Sequence, residues 1–431
     1  MLNKSFSLLA ISFLAFIAGF AAAKADTPAS PYKIYSGNLM TYPYVETLPP
    51  AQTPAPEGYT PHHMEHYGRH GSRWLIGKDD YNIPVEAFER AERAGKLTPL
   101  GQRTLDVMRG IQKASENRLG ELSDKGAVQH QIIGERMATN YPEIFAPGAN
   151  VDTRSTVVIR CILSMLNSIQ GIKSVQPDIN LHSDASQADM YYMNFSDKPA
   201  RQIRNEADSI YNPYSLRYSI DGDYLTRLVT DRQFAEDSVA PGIMPYMYRV
   251  LANTQSHSEQ PFMLEEIFTV DEMEELWRSS NNYWVIHSVK SPMTRNRMPY
   301  TQRNLLRNII ESADTALLSA TPSANLRYGH DGILSNLVAL MDINGLGQEF
   351  ATVEEAEQAG FRTYDVIPMA ANMQMIFYRP ADPRMDWLVK VLYNEKEVTL
   401  PVPSVTGPYY SWPVLRRYYL DMLDTFDRDW Q

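Results

Sequence analysis

Apolar positions along this chain switch between two spacings, and the switches mark its elements. Residues 98–145 hold two stretches of helical period, the second opening near Ser123 with Val128, Ile132 and Ile133 on one face. Val151 to Thr156 reads as a short strand or turn. Ile159, Ile162, Leu163, Leu166 and Ile169 then recur at helical spacing, and Gly171 is taken as the stop. Arg160 falls in the first turn of that helix, off the stripe, near an N-terminus that favours anions. Thr269-Val270-Asp271-Glu272 forms a capping box for a helix through Trp277. Thr301 to Ala320 is amphipathic, with Leu306, Ile309, Ile310, Ala313 and Leu317 facing inward, and Pro322 ends it. Leu326 to Gly329 reads as a strand, followed by a helical pattern at Leu334, Leu337 and Val338. Met373 to Tyr378 and Trp387 to Leu400 read as strands, the latter a hairpin through Asn394-Glu395.

Strands alternating with helices predict an α/β protein. We read it as a three-layer α/β/α sandwich with a mostly parallel central sheet and a mainly helical inserted subdomain. The length exceeds what one core usually holds, so two units are expected. Residues 26–184 and 301–431 are assigned to the α/β core, and residues 185–300, richer in tyrosine, methionine and charge, to a helical cap. Thr27 to Pro61, with Pro49-Pro50 and Pro54-Ala55-Pro56, reads as an extended lead-in over the domain surface.

Residues 1–25 read as a secretory signal: Lys4, an apolar run from Leu8 to Phe20 and a small-residue cleavage site at Ala21-Ala22-Ala23 or Ala23-Lys24-Ala25. That run is too short to span a bilayer. Cys161 is the single cysteine, so an intrachain disulfide is impossible, which suits a bacterial periplasm better than a eukaryotic secretory route. A periplasmic or secreted bacterial protein is expected. Hydrophobic residues at 44% and charged residues at 21% exclude disorder as the main state. The net charge of -11 repels nucleic acid and anionic membranes, so neither is expected as a partner.

Against that acidic background, Arg69-His70-Gly71-Ser72-Arg73-Trp74 sets one imidazole between two guanidinium groups, with a glycine to let the backbone turn. Arginine forks match phosphoryl oxygens and stay charged, while an imidazole between cations is kept neutral and able to attack phosphorus. Gly329-His330-Asp331 adds a second imidazole for the oxygens and a carboxyl group able to protonate a leaving alkoxide. Each fragment alone is more often a solvated turn or a helix cap than a site. A third element, Arg154-Ser155-Thr156 with Arg160 and Ser164, lies between them and makes the set specific.

In this order the three elements resemble the histidine phosphatase superfamily, in its acid phosphatase and phytase branch. The first matches RHGxR, the second the Arg-Ser-Thr to Arg to Ser run, the third the His-Asp pair. Leu122-Ser123-Asp124-Lys125-Gly126-Ala127-Val128-Gln129, with Gly134 and Tyr141-Pro142 after it, is similar to the family's "LTxxGxxQ…LG…YP" helix. Two positions depart from the pattern: the apolar strand before RHG is here the polar His62-His63-Met64-Glu65-His66, and the frequent proline after RHGxR is absent. The resemblance implies a phosphomonoester hydrolase working without cofactor or metal. His70 is then the residue phosphorylated, Asp331 the proton donor, and Arg69, Arg73, Arg160 and His330 the groups that neutralise the phosphoryl oxygens. Inositol phosphates and sugar phosphates are the substrate classes it suggests. Lys78 lies where phytase-like members carry a basic residue for outer phosphates, although an exposed lysine is the default reading. Ser72 is read as a bystander.

Rival chemistries fit poorly. Six positions after Cys161 stands Asn167, where a cysteine phosphatase needs arginine. Asp221-Gly222-Asp223 lacks the apolar strand that precedes an aspartyl nucleophile. His62, His66 and His70 have zinc-like spacing, but Pro61, Gly68 and Gly71 argue against the helix it needs. Neither a Walker loop nor a GxSxG elbow occurs. A phosphoglycerate mutase-like transferase and a non-catalytic binder of phosphorylated glycans stay open as alternatives. Oligomeric state is left open too.

Overall fold

The computed structural model describes residues 29–195, 197–215, 220, 222–241, 243–257 and 259–430; the signal segment and Asp221 lie outside them. Eight strands form one sheet: β1 (Tyr59–Arg69), β2 (Asn150–Ser155), β3 (Asn180–Asp184), β4 (Ser323–Gly329), β5 (Asn372–Pro380), β6 (Leu388–Tyr393), β7 (Lys396–Glu397) and β8 (Tyr410–Ser411). Their order is β3-β2-β4-β1-β5-β6-β7, with β8 pairing β6. The ladders joining β1, β2, β3 and β4 are parallel, and β5 enters antiparallel to β1. Because β6 is antiparallel to β5, it points the same way as the parallel set.

Alternate residues of the central strands serve opposite cores, as a period of two demands. On one face, Met373, Met375, Phe377, Val389 and Val391 pack with the helices Arg303–Leu317, Asp331–Leu340 and Trp412–Trp430. On the other, Ile376, Tyr378, Leu388 and Leu392 pack with the helices Asp124–Asn140 and Ile159–Val175. This is the expected three-layer arrangement. A further core joins the helices Lys78–Arg93 and Pro99–Ala114 to residues between Tyr224 and Met273. Among the described residues, no helix is long and apolar enough to cross a membrane.

The polar strand before the RHG motif is buried. Glu65 accepts from Asn325 Nδ2 at 2.7 Å and lies 2.9 Å from His63 Nε2, and the Arg327 guanidinium closes the network from β4. Arg327 also donates to Asn308 and Ser312 on the helix Arg303–Leu317. Burial opposes the Glu65 charge, but Arg327 and His63 outweigh it and hold the carboxyl below its usual range. A buried polar strand is stable only when its groups are satisfied in this way.

Two helices differ from the hydrophobic pattern. The helix from Ile159 does not stop before Gly171 but runs to Val175, and it buries Cys161, Ser164, Met165, Ser168, Ile169 and Gly171. Ile159 and Leu166, expected inside, are 67% and 48% exposed. Its partner helix Asp124–Asn140 likewise turns Val128 outward and Gly126, Gln129 and Gly134 inward. Close backbone approach is the reason: a Cβ on Gly134 would stand 2.1 Å from Ser168 O, and one on Gly171 2.0 Å from Gln131 O. Small residues, not large apolar ones, define this contact. The Thr269 capping box is present, and its helix continues past Trp277 to Ile286. The Asn394-Glu395 turn has φ of 48° and 61°, the double left-handed geometry of a tight hairpin.

Gly134→Ala and Gly171→Ala should each lower unfolding stability by about 1–3 kcal/mol, because overpacking outweighs the gain in helix propensity. Leu166→Ser, on the exposed face, should stay within about 0.5 kcal/mol of wild type. Urea unfolding measures both, and an unchanged midpoint for Gly134→Ala removes the packing argument.

Candidate active site

Register places the chemistry. Arg69 is paired with Gly329 at the ends of β1 and β4, and Ser155 with Tyr328 at the end of β2, so three loops leave neighbouring strands together. They emerge at the C-terminal edge of the parallel strands, where open α/β sheets hold ligands. His70 N donates to Gly329 O at 2.9 Å and Thr156 N to Tyr328 O at 3.0 Å, locking the loops side by side. Beyond β4, His330 caps the helix that begins at Asp331.

The motif spacings record how the RHG loop is clasped. A Cβ on Gly71 would stand 2.5 Å from Gly126 O, and one on Gly126 2.2 Å from Ser72 O, so only glycines allow the loop to rest on the helix Asp124–Asn140. Gln129 accepts from Ser72 N at 2.8 Å and donates to Ser72 Oγ at 2.9 Å. Ser123 N and Oγ both donate to Ser72 O. Ser164 Oγ accepts from Gly71 N at 3.1 Å and donates to Arg160 O at 2.8 Å. Ser72 is thereby occupied in holding the loop.

His70 is buried, and its Nδ1 lies 2.9 Å from Gly71 O. A carbonyl only accepts, so Nδ1 carries the proton and Nε2 keeps its lone pair. Burial, then Arg69, Arg160, Arg73 and His330, push the His70 pKa well below the ordinary histidine value. The ring of His330 stands 6.0 Å away, centroid to centroid. His330 is brought down to about 4 by burial and by Arg160, outweighing Asp331. Thr156 Oγ1 lies 3.1 Å from its Nε2, and its backbone N–H donates to the Tyr67 hydroxyl at 3.2 Å.

Arg69 is fully buried and donates from Nη1 to Asn38 O at 2.7 Å and Ile367 O at 2.5 Å. Its Nη2 lies 2.8 Å from Asp331 Oδ2, an ion pair whose N–H does not point along the contact. Arg73 donates to Trp74 O, and Arg160 to Gly120 O at 3.4 Å. Burial and Arg69 draw the Arg73 guanidinium down to about 9, which leaves it charged at neutral pH and below. Arg69 Nε and Nη2, Arg73 Nε and Arg160 Nε are buried donors without an acceptor. Such groups are costly unless an anion meets them. Burial pushes the Asp331 carboxyl up, but Arg69, Arg73 and His330 together hold it below the usual range.

All six sequence-derived candidates therefore share one pocket. Lys78 does not join them: it is exposed at the start of the helix Lys78–Arg93. His62 and His66 sit on β1, with His62 Nε2 against Ser319 O and the His66 ring against Tyr328 at 5.0 Å. Asp223 is on the surface, paired with Arg232. Thr156 and Gln129 stand within the quoted motifs without an assigned role, and Tyr67 and the carbonyls of Asn38 and Ile367 were not singled out by the sequence. The Pro-rich lead-in is more than a surface wrap, since Leu39 and Tyr42 are buried and Asn38 holds Arg69. A cavity of about 820 Å³ opens beside the pocket, with Arg73 in its wall.

No protein-family model matches the chain, and no curated protein matches it in sequence. Solved structures do match in shape. The phosphate complex of the Bifidobacterium longum multiple inositol polyphosphate phosphatase has 19% identity and a TM-score of 0.72, covering 89% of this chain and 97% of that one. The D. castellii phytase has 14% identity and a TM-score of 0.64 over 91% and 86%. The tartrate complex of Hafnia alvei phytase has 13% identity and a TM-score of 0.55 over 85% and 98%.

Buried histidines make stability depend on pH. His66 and His130 are each lowered to about 3, chiefly by burial. With unfolded values near 6.5, their contribution is complete above about 6.5 and is lost as pH falls toward 3, at about 1.4 kcal/mol per pH unit for each. Melting temperature should fall between pH 6.5 and 4, and His130→Gln should flatten that slope. A pH-independent melting temperature over this window contradicts the assignment. At the identities above, the solved structures establish fold alone: this chain has the architecture found in inositol polyphosphate phosphatase and phytase structures.

Proposed function

We propose that this protein is a phosphomonoester hydrolase that works through a phosphohistidine on His70. The observation that carries the reading is an imidazole with a bare Nε2, buried beside three guanidinium groups that each keep at least one buried N–H donor without an acceptor in the protein. That is the arrangement an incoming phosphoryl group completes. His70 Nε2 attacks phosphorus in line, the bond to the leaving oxygen breaks, and Arg69, Arg73, Arg160 and His330 neutralise the three remaining oxygens. The departing alkoxide takes a proton from Asp331. Water then attacks the phosphohistidine with Asp331 as base, releasing inorganic phosphate and free imidazole. Export to a bacterial periplasm through the 1–25 segment fits this chemistry, and inositol and sugar phosphates are the substrates the fold brings to mind.

Asp331 is ionised beside Arg69 before substrate arrives, so its proton must come with the substrate. A phosphate monoester is monoanionic below about pH 6. A second anion against Arg69 raises the carboxyl's proton affinity, and the proton of the monoanion passes to Asp331. The dianion brings no such proton. Because His70 stays neutral far below pH 6.5, acid does not silence the nucleophile.

The rate should therefore be greatest on the acid side and decline above about pH 6; a maximum above neutral pH contradicts these roles. His70→Ala should retain less than about one part in 10⁴ of phosphate release from p-nitrophenyl phosphate. Asp331→Asn should lose on the order of 10²–10⁴-fold and flatten the alkaline limb. Alkaline quenching of wild type followed by peptide mass analysis should find the phosphoryl group on His70. Release by His70→Ala at the wild-type rate removes the nucleophile, and phosphate binding without turnover in wild type makes the protein a binder instead.

A further inference from the structure

Among its described residues, the cavity beside the phosphate pocket is lined by more rings than cations. It meets the pocket on two sides. Arg73 lines one, and on the other Trp284 Cζ3 comes within 3.7 Å of where a Cβ on Gly332 would stand, next to Asp331. Tyr248 donates its hydroxyl to Tyr35 O at 2.5 Å, and Tyr211 its own to Ser279 O at 3.4 Å. With those hydroxyls turned to backbone, the rings present carbon to the space between them. Tyr283 is stacked on His287 at 4.0 Å, which fixes its plane. Among the described lining residues, the charged ones are Arg73 and Arg249, and Arg249 Nη1 is already paired with Asp80 Oδ1 at 3.1 Å.

We propose that the alcohol half of the substrate is an uncharged, flat aromatic ring system bearing a single phosphate, seated against Trp284, Tyr283 and Tyr248. A ring carrying several phosphates is then a poor ligand. The inference rests on the phosphomonoesterase reading above. Each added phosphate brings about -1.5 to -2 charges, and among the described lining residues the cation without an ion-pair partner, Arg73, serves the reacting phosphate. Burying an anion without a counter-charge costs several kcal/mol. A flat ring instead gains offset or edge contacts with the surrounding aromatics, and 820 Å³ accommodates a nucleoside-sized group.

The test compares phosphate release from benzyl phosphate, adenosine 5′-monophosphate, glycerol 3-phosphate and myo-inositol hexakisphosphate. The first three share a primary alkyl leaving group, so their differences report binding rather than leaving-group reactivity. At least one ring-bearing monoester should exceed both glycerol 3-phosphate and the hexakisphosphate tenfold or more in kcat/KM, and the better of the two tells an aryl from a nucleoside source. Trp284→Leu and Tyr283→Leu should each erase that preference by raising KM for the ring esters. Hexakisphosphate or glycerol 3-phosphate equal to the ring esters overturns the proposal. Release from no ester refutes the hydrolase reading itself. Calorimetry with benzylphosphonate and inositol hexasulfate then reads the cavity separately, and tighter binding of the hexasulfate overturns the inference.

Discussion

Crowding several cations into one buried pocket is the constraint around which the remaining structure is arranged. Arg69, Arg73 and Arg160 lie close enough that each depresses the pKa of His70. Like charges at such range repel, and in a partly dehydrated site the repulsion is stronger than in water. The protein holds them chiefly by backbone carbonyls: Arg69 is gripped by two of them, Arg73 by Trp74 O and Arg160 by Gly120 O. Only Asp331 supplies a neighbouring anion among the six site residues. The result is a pocket short of negative charge inside a protein whose net charge is -11. That shortage favours an oxyanion, and it also keeps the imidazole neutral and nucleophilic.

Holding repelling groups in place demands a rigid floor, and the sheet provides one. β1, β2 and β4 end in register, so the loops that carry His70, Thr156 and His330 begin from fixed neighbouring points. The RHG loop is then pinned to two helices through Gln129, Ser123 and Ser164. Those helices in turn approach each other through Gly134 and Gly171. A chain of close contacts therefore runs from the helix interface to the loop of His70, and its members are small or amide-bearing residues because larger ones do not fit.

The same fact explains what was legible in the sequence. The six candidate residues could be named because residue types at short spacing, and the family resemblance they carry, survive in a one-dimensional string. Strand and helix alternation likewise revealed the layered fold. On the helices Asp124–Asn140 and Ile159–Val175, Ile133 and Ile169 are buried as expected, but the rest of the buried faces was misread because hydrophobicity marks burial only where the neighbour is another side chain. Here the neighbour is backbone, so Gly, Ser and Cys go inside while Ile159 and Leu166 remain out. β1 shows the opposite case: its polar His63 and Glu65 are buried because partners on β4, distant in sequence, satisfy them. Nor does any local pattern show that Asn38 and Ile367 hold Arg69, since carbonyls are common to every residue. Their role comes from where the chain passes, not from what it is made of.

In the proposed mechanism Asp331 both competes with the phosphate for Arg69 and takes part in its chemistry. In the free protein it occupies Arg69, lowering the cost of that buried cation. An arriving phosphoryl group contests the same guanidinium, and once it is seated the carboxylate faces an anion instead of an unshared cation. Its proton affinity then rises at the point where the leaving oxygen needs a proton. In the proposed reaction the departing alcohol carries the Asp331 proton away, which leaves the ionised carboxylate, the form required to activate water. On this proposal, one ion pair, made and contested in turn, tunes the proton affinity of Asp331. The helix that begins at Asp331 reinforces this, since Gly332 N donates to Oδ1 at 2.9 Å and orients the carboxyl toward the pocket while leaving Oδ2 for Arg69.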